Sequence, residues 1–256
     1  TICSSMRHRG PDAAGRWMAA NVPLVLGHRR LSVLDLSANA AQPMISPGGR
    51  YSLSFDGRIS NRRTLSTLLR QAGYTLNSRS DAEIVLLTIE CRGLNAALQK
   101  IEGSFAMILW DRATRQIHGV RDRFGQKPLY IGRAGGQILF ASELRAFTAH
   151  PDFTRTLDRQ AARQLIRYGY ITAPRTMFEG VYVLKPGTRL SAGLDDLARM
   201  YDFTPYIEPY WDMGHAIGDA RAAPLRGGPE TAIEHCHEIM FKTVASHLVS
   251  DVPLGV

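Results

Sequence analysis

Between Ser104 and Ala141 the chain carries four short strand patterns in succession, each parted from the next by only a few turn residues. Phe105-Ala106-Met107-Ile108-Leu109-Trp110 is an apolar run closed by Asp111, and Gln116 to Arg121 follows after a polar turn. Pro128 to Gly132 is then set to pair with Gln137 to Ala141 across Gly135-Gly136. Connections this short cannot make the crossover a parallel pair needs, so the sheet they build is antiparallel. An earlier segment, Tyr51-Ser52-Leu53-Ser54-Phe55, alternates polar with apolar residues and reads as a half-buried strand ended by the turn signal Asp56-Gly57.

Helices are expected between and after these strands. Asn61 can cap one that places Leu65, Leu68 and Leu69 on a single face, runs through Ala72 and stops at Gly73. Asp81 is the next cap candidate, in front of Ile84, Val85, Leu87 and Thr88, with Gly93 as the break and Cys91 as a packing residue. The stretch Ala192 to Pro229 is rich in Pro and Gly with little periodicity and reads as a surface linker. Beyond it, Glu230 to Val249 carries Ile233, Cys236, Met240 and Val244 on one stripe, flanked by Phe241 and Leu248. Ser250 to Val256 then enters an apolar strand with no turn or cap, as in a piece of a larger protein. These patterns alone support a mixed α and β chain with mostly antiparallel strands.

Composition narrows the function classes. With 256 residues, 45% of them hydrophobic, there is apolar surface for a sizeable core, no window approaches a membrane span, and no leader pattern opens the chain as given. Cys3, Cys91 and Cys236 are scattered, odd in number and outside any CxxC pair, which suits a reducing cytosol. A formal charge of +8 would attract anions, but the basic residues form no long run, so nucleic-acid binding is the lesser reading; a salt-dependent shift with a nonspecific duplex would reveal it. His235-Cys236-His237 is no metal cluster, since helical neighbours point about 100° apart. Gly135-Gly136 is turn chemistry and not a phosphate loop, because no helix start follows it.

Several motifs stand in a fixed order: Arg7-His8-Arg9-Gly10-Pro11-Asp12, Gly27 to Asp35 with Arg30-Leu31-Ser32-Val33, and Gln42-Pro43-Met44; then Gly103 to Asp111, Arg121 to Tyr130 and Phe140-Ala141-Ser142-Glu143-Leu144; and last Ala173 to Gly180 and Tyr210-Trp211-Asp212. Together they resemble the glutamine-hydrolysing asparagine synthetases, over nearly the whole chain. The resemblance implies an α+β fold, the four-layer αββα sandwich of the N-terminal-nucleophile class. It implies an amidotransferase domain over 1–190 lacking its first strand, a linker over 191–229, and the first helix and strand of an ATP-pyrophosphatase domain over 230–256. ATP and Mg would belong to the absent part of that second domain. The implied partners are glutamine and the synthetase domain of the same parent chain; a homodimer is left open, and no membrane is involved.

Within that family an N-terminal cysteine attacks the glutamine amide while its own α-amine takes the proton. Cys3 stands only five positions before His8, in what resembles the helical stretch after the family's first strand, so it reads as a structural or incidental thiol. Thr1 is a nucleophile type known for this fold class, but its placement has the same fault. No catalytic nucleophile is therefore retained in the residues given.

The substrate pocket is implied in part. Arg30 aligns with the arginine that grips the glutamine α-carboxylate, a task suited to a planar donor fork. Backbone groups of Leu31 and Val33 line the same pocket, and Asp81 aligns with the aspartate that holds the α-ammonium, besides being a helix cap. Gly57 supplies an oxyanion N–H.

Two positions depart from the pattern. Asp56 stands where the family has an asparagine whose amide donates to the oxyanion, and Arg58 replaces a glutamate beside the substrate ammonium. An ionised Asp56 donates nothing, and Arg58 reverses a sign. Impaired glutaminase chemistry follows, with a non-catalytic scaffold or glutamine-sensing domain as the alternative. Arg121-Asp122-Arg123 reads as structural pairing across a sheet edge, and Trp110 as core.

Overall fold

The computed structural model describes residues 2–253. Thr1 and the end of the expected last strand, Leu254 to Val256, lie outside the described residues. After a short helix α1 (Ile2–Ser5) come strands β1 (Ala13–Met18), β2 (Val25–Arg30), β3 (Met44–Ile45) and β4 (Tyr51–Ile59). Helices α2 (Arg62–Gln71), α3 (Asp81–Arg92) and α4 (Leu94–Lys100) precede β5 (Gly103–Asp111), β6 (Gln116–Arg121), β7 (Tyr130–Ala134) and β8 (Gln137–Ala141). Helices α5 (Leu144–Thr148) and α6 (Arg159–Tyr168) lead to β9 (Val181–Val183), β10 (Thr188–Gly193), α7 (Leu194–Arg199), β11 (Ile207–Pro209), α8 (Met213–Ala222) and α9 (Pro229–His247).

The strands form a six-stranded sheet in the order β11-β10-β6-β5-β4-β3, a three-stranded sheet β8-β7-β9 and the hairpin β1-β2. Every described pairing is antiparallel; the short connections require it for β1-β2, β3-β4, β5-β6 and β7-β8. Gly135 and Gly136, at φ 53° and 78°, make the turn between β7 and β8, a pair of positive φ values that suits glycine.

β5 sets the layering. Phe105, Met107 and Leu109 point into one core cluster with Leu65, Leu69 and Ile84 to Leu87, which come from α2 and α3. Ala106 and Trp110 point the other way, into a second cluster with Leu129, Ile131, Leu190 and Phe203. A strand buried on both faces reads as a continuous apolar run, which is what the sequence shows. On the far side Phe147 of α5 presses on β7 at Gly132, completing the helix, sheet, sheet, helix order of the αββα sandwich.

Local expectations fail where a long-range partner intervenes. β4 does not stop at Asp56-Gly57 but runs to Ile59, because β5 pairs with it over its full length, Tyr51 opposite Asp111 and Ile59 opposite Gly103. Nor is it half-buried: Tyr51, Ser52, Leu53 and Phe55 are all covered. Asn61 precedes α2 without capping it; its amide donates to the Lys100 carbonyl and its oxygen accepts from Glu102 N–H, tying α2 to the end of α4. Ser80, not Asp81, caps α3, accepting from Glu83 N–H at 3.2 Å. Asp81 is the first helical residue, 6% exposed.

The expected linker is part of the body only as far as Trp211; beyond it α8 buries none of its residues. β10 and β11 belong to the six-stranded sheet, and Leu197, Met200 and Phe203 sit in the second core cluster. Tyr210 donates its hydroxyl to the Arg121 carbonyl at 2.9 Å, and Trp211 packs on Phe124 with ring centroids 5.3 Å apart. Proline and glycine marked turns here, and tertiary burial decided the rest. By contrast α9 forms as expected but buries none of its residues. Its apolar residues Ile233, Met240, Phe241 and Val244 are all exposed, and Asp251 to Pro253 adopt no strand.

Candidate functional site

The candidate site grows from the free edge of β4. Phe55 N–H donates to Gln42 Oε1 (2.7 Å), and Ile59 N–H donates to Asp81 Oδ2 (3.2 Å), so both amides point away from β5. Amides two residues apart on a strand share a side. The Gly57 N–H therefore opens onto the same edge, between a glutamine amide and a buried carboxylate. A Cβ at Gly57 would come within 2.5 Å of the Phe105 Cβ and closer still to the Ser104 carbonyl, so only glycine lets the strands approach. Gln42 also donates to the Phe55 carbonyl at 3.1 Å, so its side chain acts as a short surrogate strand where β3 has ended.

Asp56 projects from the face of β4 that also carries Arg58, opposite to Phe55 and Ile59, into a charged cluster. Arg9 Nη2 donates to its Oδ2 (2.9 Å), and Lys127 Nζ lies 3.4 Å from its Oδ1. Arg9 also donates to Glu143 (3.2 Å), which His8 Nε2 approaches to 2.9 Å. Burial would raise the Glu143 carboxyl, but hydrogen bonds from His8 and Arg9 hold it below the usual range. One Asp56 oxygen thus accepts a hydrogen bond and the other faces the Lys127 ammonium.

Lys127 is placed by the loop that Asp122 organises. Fully buried, Asp122 accepts from the N–H groups of Phe105, Phe124, Gln126 and Lys127. Arg121 spreads its guanidinium over the carbonyls of Lys127, Leu184 and Gly125. The Arg121-Asp122 pair is therefore structural, but through backbone groups of its own loop, β5 and Leu184 and not through charge pairing across a sheet edge.

At the other end, Asp81 meets arginines. Arg62 Nε stands 3.3 Å from Oδ1 and Arg58 Nε 3.9 Å from Oδ2. The Arg62 contact is a close ion pair without hydrogen-bond alignment, so Oδ1 is left without a hydrogen bond. Burial pushes the Asp81 carboxyl up; the Ile59 N–H, Arg62 and Arg58 pull it down without cancelling that effect. Arg58 also donates to the Val249 carbonyl.

Arg30 does not reach out from β2. Its guanidinium donates to the carbonyls of Asp35 and Ser37 (3.0 Å to Ser37), closing its own loop. Leu31 is exposed, and the Val33 carbonyl accepts from Asp251 N–H at 2.9 Å. Asp35 anchors the loop at φ 55°, a left-handed conformation uncommon outside glycine, by accepting from Ser37 N–H and Arg79 N–H. The Arg79 bond joins this loop to the start of α3 and so to Asp81.

The structure thus brings Gly57, Arg58 and Asp81 together, places Asp56 in a separate ion-pair cluster on the same face of β4 as Arg58, and links the Arg30 to Asp35 loop to the start of α3 through Arg79. Arg9, Gln42, Arg62, Lys127 and Glu143 were not singled out from sequence, although all but Arg62 lie within the motifs quoted above. Cys3 packs against β2, where its sulfur blocks any side chain at Gly27. A cavity of about 370 Å³ lined by Asp158, Arg175 and Tyr182 includes none of the site residues. Among the described residues no His, Cys, Asp and Glu cluster is placed to hold a metal, and no helix is long and apolar enough to cross a membrane.

Comparisons with known proteins bear on the family and the fold. Residues 1–207 match the glutamine amidotransferase domain family. Asparagine synthetase (glutamine-hydrolyzing) 1 of Bacillus subtilis is 30% identical over 97% of this chain, which spans 36% of that protein. Amidase chry2 of Gibberella zeae is 31% identical over the whole chain, again spanning 36% of the relative. The chain therefore covers little more than a third of the length of these relatives. Among solved structures, the glutamine phosphoribosylpyrophosphate amidotransferase from B. subtilis, complexed with ADP and GMP, superposes with a TM-score of 0.57 at 18% identity, covering 82% of this chain and 45% of that one. At that identity the likeness concerns the fold. With its α+β sandwich, its motif order and a family match over most of its length, the chain belongs to the glutamine amidotransferase domain family.

Proposed function

We propose that this chain is the glutaminase-type half of an ATP-dependent amide-forming enzyme of the asparagine synthetase kind, and that its glutamine hydrolysis is impaired. ATP and Mg, the carboxylate acceptor and the synthetase domain would lie outside these residues, and the expected compartment is the cytoplasm. The acceptor would be aspartate or another carboxylate; relatives named both as synthetases and as an amidase are compatible with either.

The observation that carries the reading is the engagement of Asp56 by Arg9 and Lys127. Hydrolysis of an amide places negative charge on the carbonyl oxygen of the tetrahedral intermediate, and a glutaminase of this family needs two donors for it. The Gly57 N–H remains in place for one. A carboxylate paired with two cations supplies no second donor, and loss of one such donor costs roughly 3 to 4 kcal/mol of transition-state stabilisation.

The test is glutamate release from glutamine by the protein that carries this chain. The expected turnover is low, and Asp56→Asn combined with Arg58→Glu raises it on the order of a hundredfold. Normal turnover that neither substitution increases would overturn the reading.

A second reading, a scaffold or glutamine sensor without hydrolysis, is favoured by Arg58 and Arg62, which already occupy the carboxylate expected to hold the glutamine ammonium. Calorimetry separates the two: heat of glutamine binding with no glutamate formed supports a sensor, and no heat supports a scaffold.

A further inference from the structure

Residues 249–251 meet the candidate glutamine pocket at four points. The Val249 carbonyl accepts from Arg58. Asp251 N–H donates to the Val33 carbonyl (2.9 Å), and Asp251 Oδ2 accepts from Asp35 N–H (2.8 Å). Its Oδ1 lies 3.2 Å from Arg79 Nη2. One acidic residue thus grips the pocket loop by its backbone on both sides of Leu34 and ties it to the segment leading into α3.

The loop has other supports, beginning with Asp12 Oδ2, which accepts from Ser32 N–H at 2.7 Å. Leu31 and Leu36 are exposed, and Asp35 holds a left-handed backbone that aspartate tolerates better than most residues but that is uncommon outside glycine. Its carboxylate bonds Ser37 and Arg79 N–H, and Arg30 closes on its carbonyl. The Asp35 amide, however, relies on Asp251. Without that acceptor the Asp35 N–H loses its partner, whereas the Val33 carbonyl keeps the Asp251 backbone N–H.

We infer that Asp251 is a positioning residue for this pocket. The segment following α9 acts as a strap: the Asp251 backbone N–H holds the Val33 carbonyl, and its carboxylate fixes the Asp35 amide and, through Arg79, the approach to Asp81. Displacement of α9 would then reach the pocket through the strap without any change in the core. The designation of the pocket rests on the proposed function; the mechanical coupling does not.

Hydrogen exchange in the protein that carries this chain tests the coupling without glutamine. Asp251→Ala should speed exchange at Asp35 and Arg79 on the order of tenfold, with the β4 and β5 amides unchanged. Asp251→Asn, which keeps an acceptor for Asp35 but loses the charge facing Arg79, should restore most protection at Asp35 and less at Arg79. Unchanged exchange at both positions in Asp251→Ala, or a uniform rise that includes β4 and β5, would overturn the inference. Glutamate release plays no part in this readout, so failure of the glutaminase reading and failure of the strap are distinguishable.

Discussion

α3 and α9 are both rich in apolar residues, yet α3 buries nine of its 12 residues while α9 buries none of its 19. α3 lies between α2, α4 and the six-stranded sheet, and even its Asp81 and Glu83 are taken out of water and given partners. α9 presents Ile233, Met240, Phe241 and Val244 to solvent. The difference teaches that apolar content and helical spacing determine that a helix can form, whereas neighbours determine what it contributes. Tertiary packing supplies most helical stability in proteins, and α3 has it.

The sharpest way to break this comparison is to cut side chains from each helix. Leu86→Ala on α3, where the residue is 1% exposed, should cost about 2 to 5 kcal/mol in urea denaturation, as transfer and cavity terms add. A much smaller loss would mean that the first core cluster is loosely packed.

Acid should expose a second contrast, between the buried body and the solvated helix. Burial lowers His28 and His118 to about 4, well below the ordinary value of 6.5. Between those values the unfolded chain binds protons that the folded chain refuses. Their contribution is complete above about pH 6.5 and is lost as pH falls toward 4, by up to about 1.4 kcal/mol per pH unit for each histidine. Denaturation midpoints at pH 7 and pH 5 measure the slope, and His118→Gln should flatten it.

A smaller effect is expected in the charged cluster around Asp56. Asp56→Asn removes the carboxylate shared by Arg9 and Lys127 but leaves Arg9 its bond to Glu143, so stability should fall by about 1 kcal/mol or less. The same variant raises glutamate release if the proposed impairment holds, so stability and turnover move in opposite directions. The smallest change belongs to α9: Phe241→Ala should stay within about 0.5 kcal/mol, because the ring is 71% exposed. A loss like that of Leu86→Ala would show that α9 is covered in the protein that carries it.

Much of the body was legible from residues close together. The apolar run of β5, the Gly135-Gly136 turn and the order of motifs rest on local signals, and the structure contains all three. The site was legible in its members but less so in its wiring. Asp56, Gly57, Arg58 and Asp81 stood out, yet Arg9 meets Asp56 across 47 positions and Asp251 meets Asp35 across 216, and no local pattern encodes such a pairing. Ala192 to Trp211 was misread for the same reason, since its turn residues are local while the burial of Leu197 and Phe203 depends on a sheet assembled elsewhere.

By itself the sequence determined the antiparallel body, the family, and the two departures at Asp56 and Arg58, because strand and turn preferences and motif residues act within a few positions. The tertiary structure alone decided that β4 runs through Asp56-Gly57 with the Gly57 N–H on an open edge and that Arg58 and Arg62 surround Asp81. It also brought Asp251 against the Val33 to Asp35 loop. Those outcomes depend on which distant segments are brought into contact, and side-chain charge and hydrogen bonding act over a few ångströms of space and not along the chain.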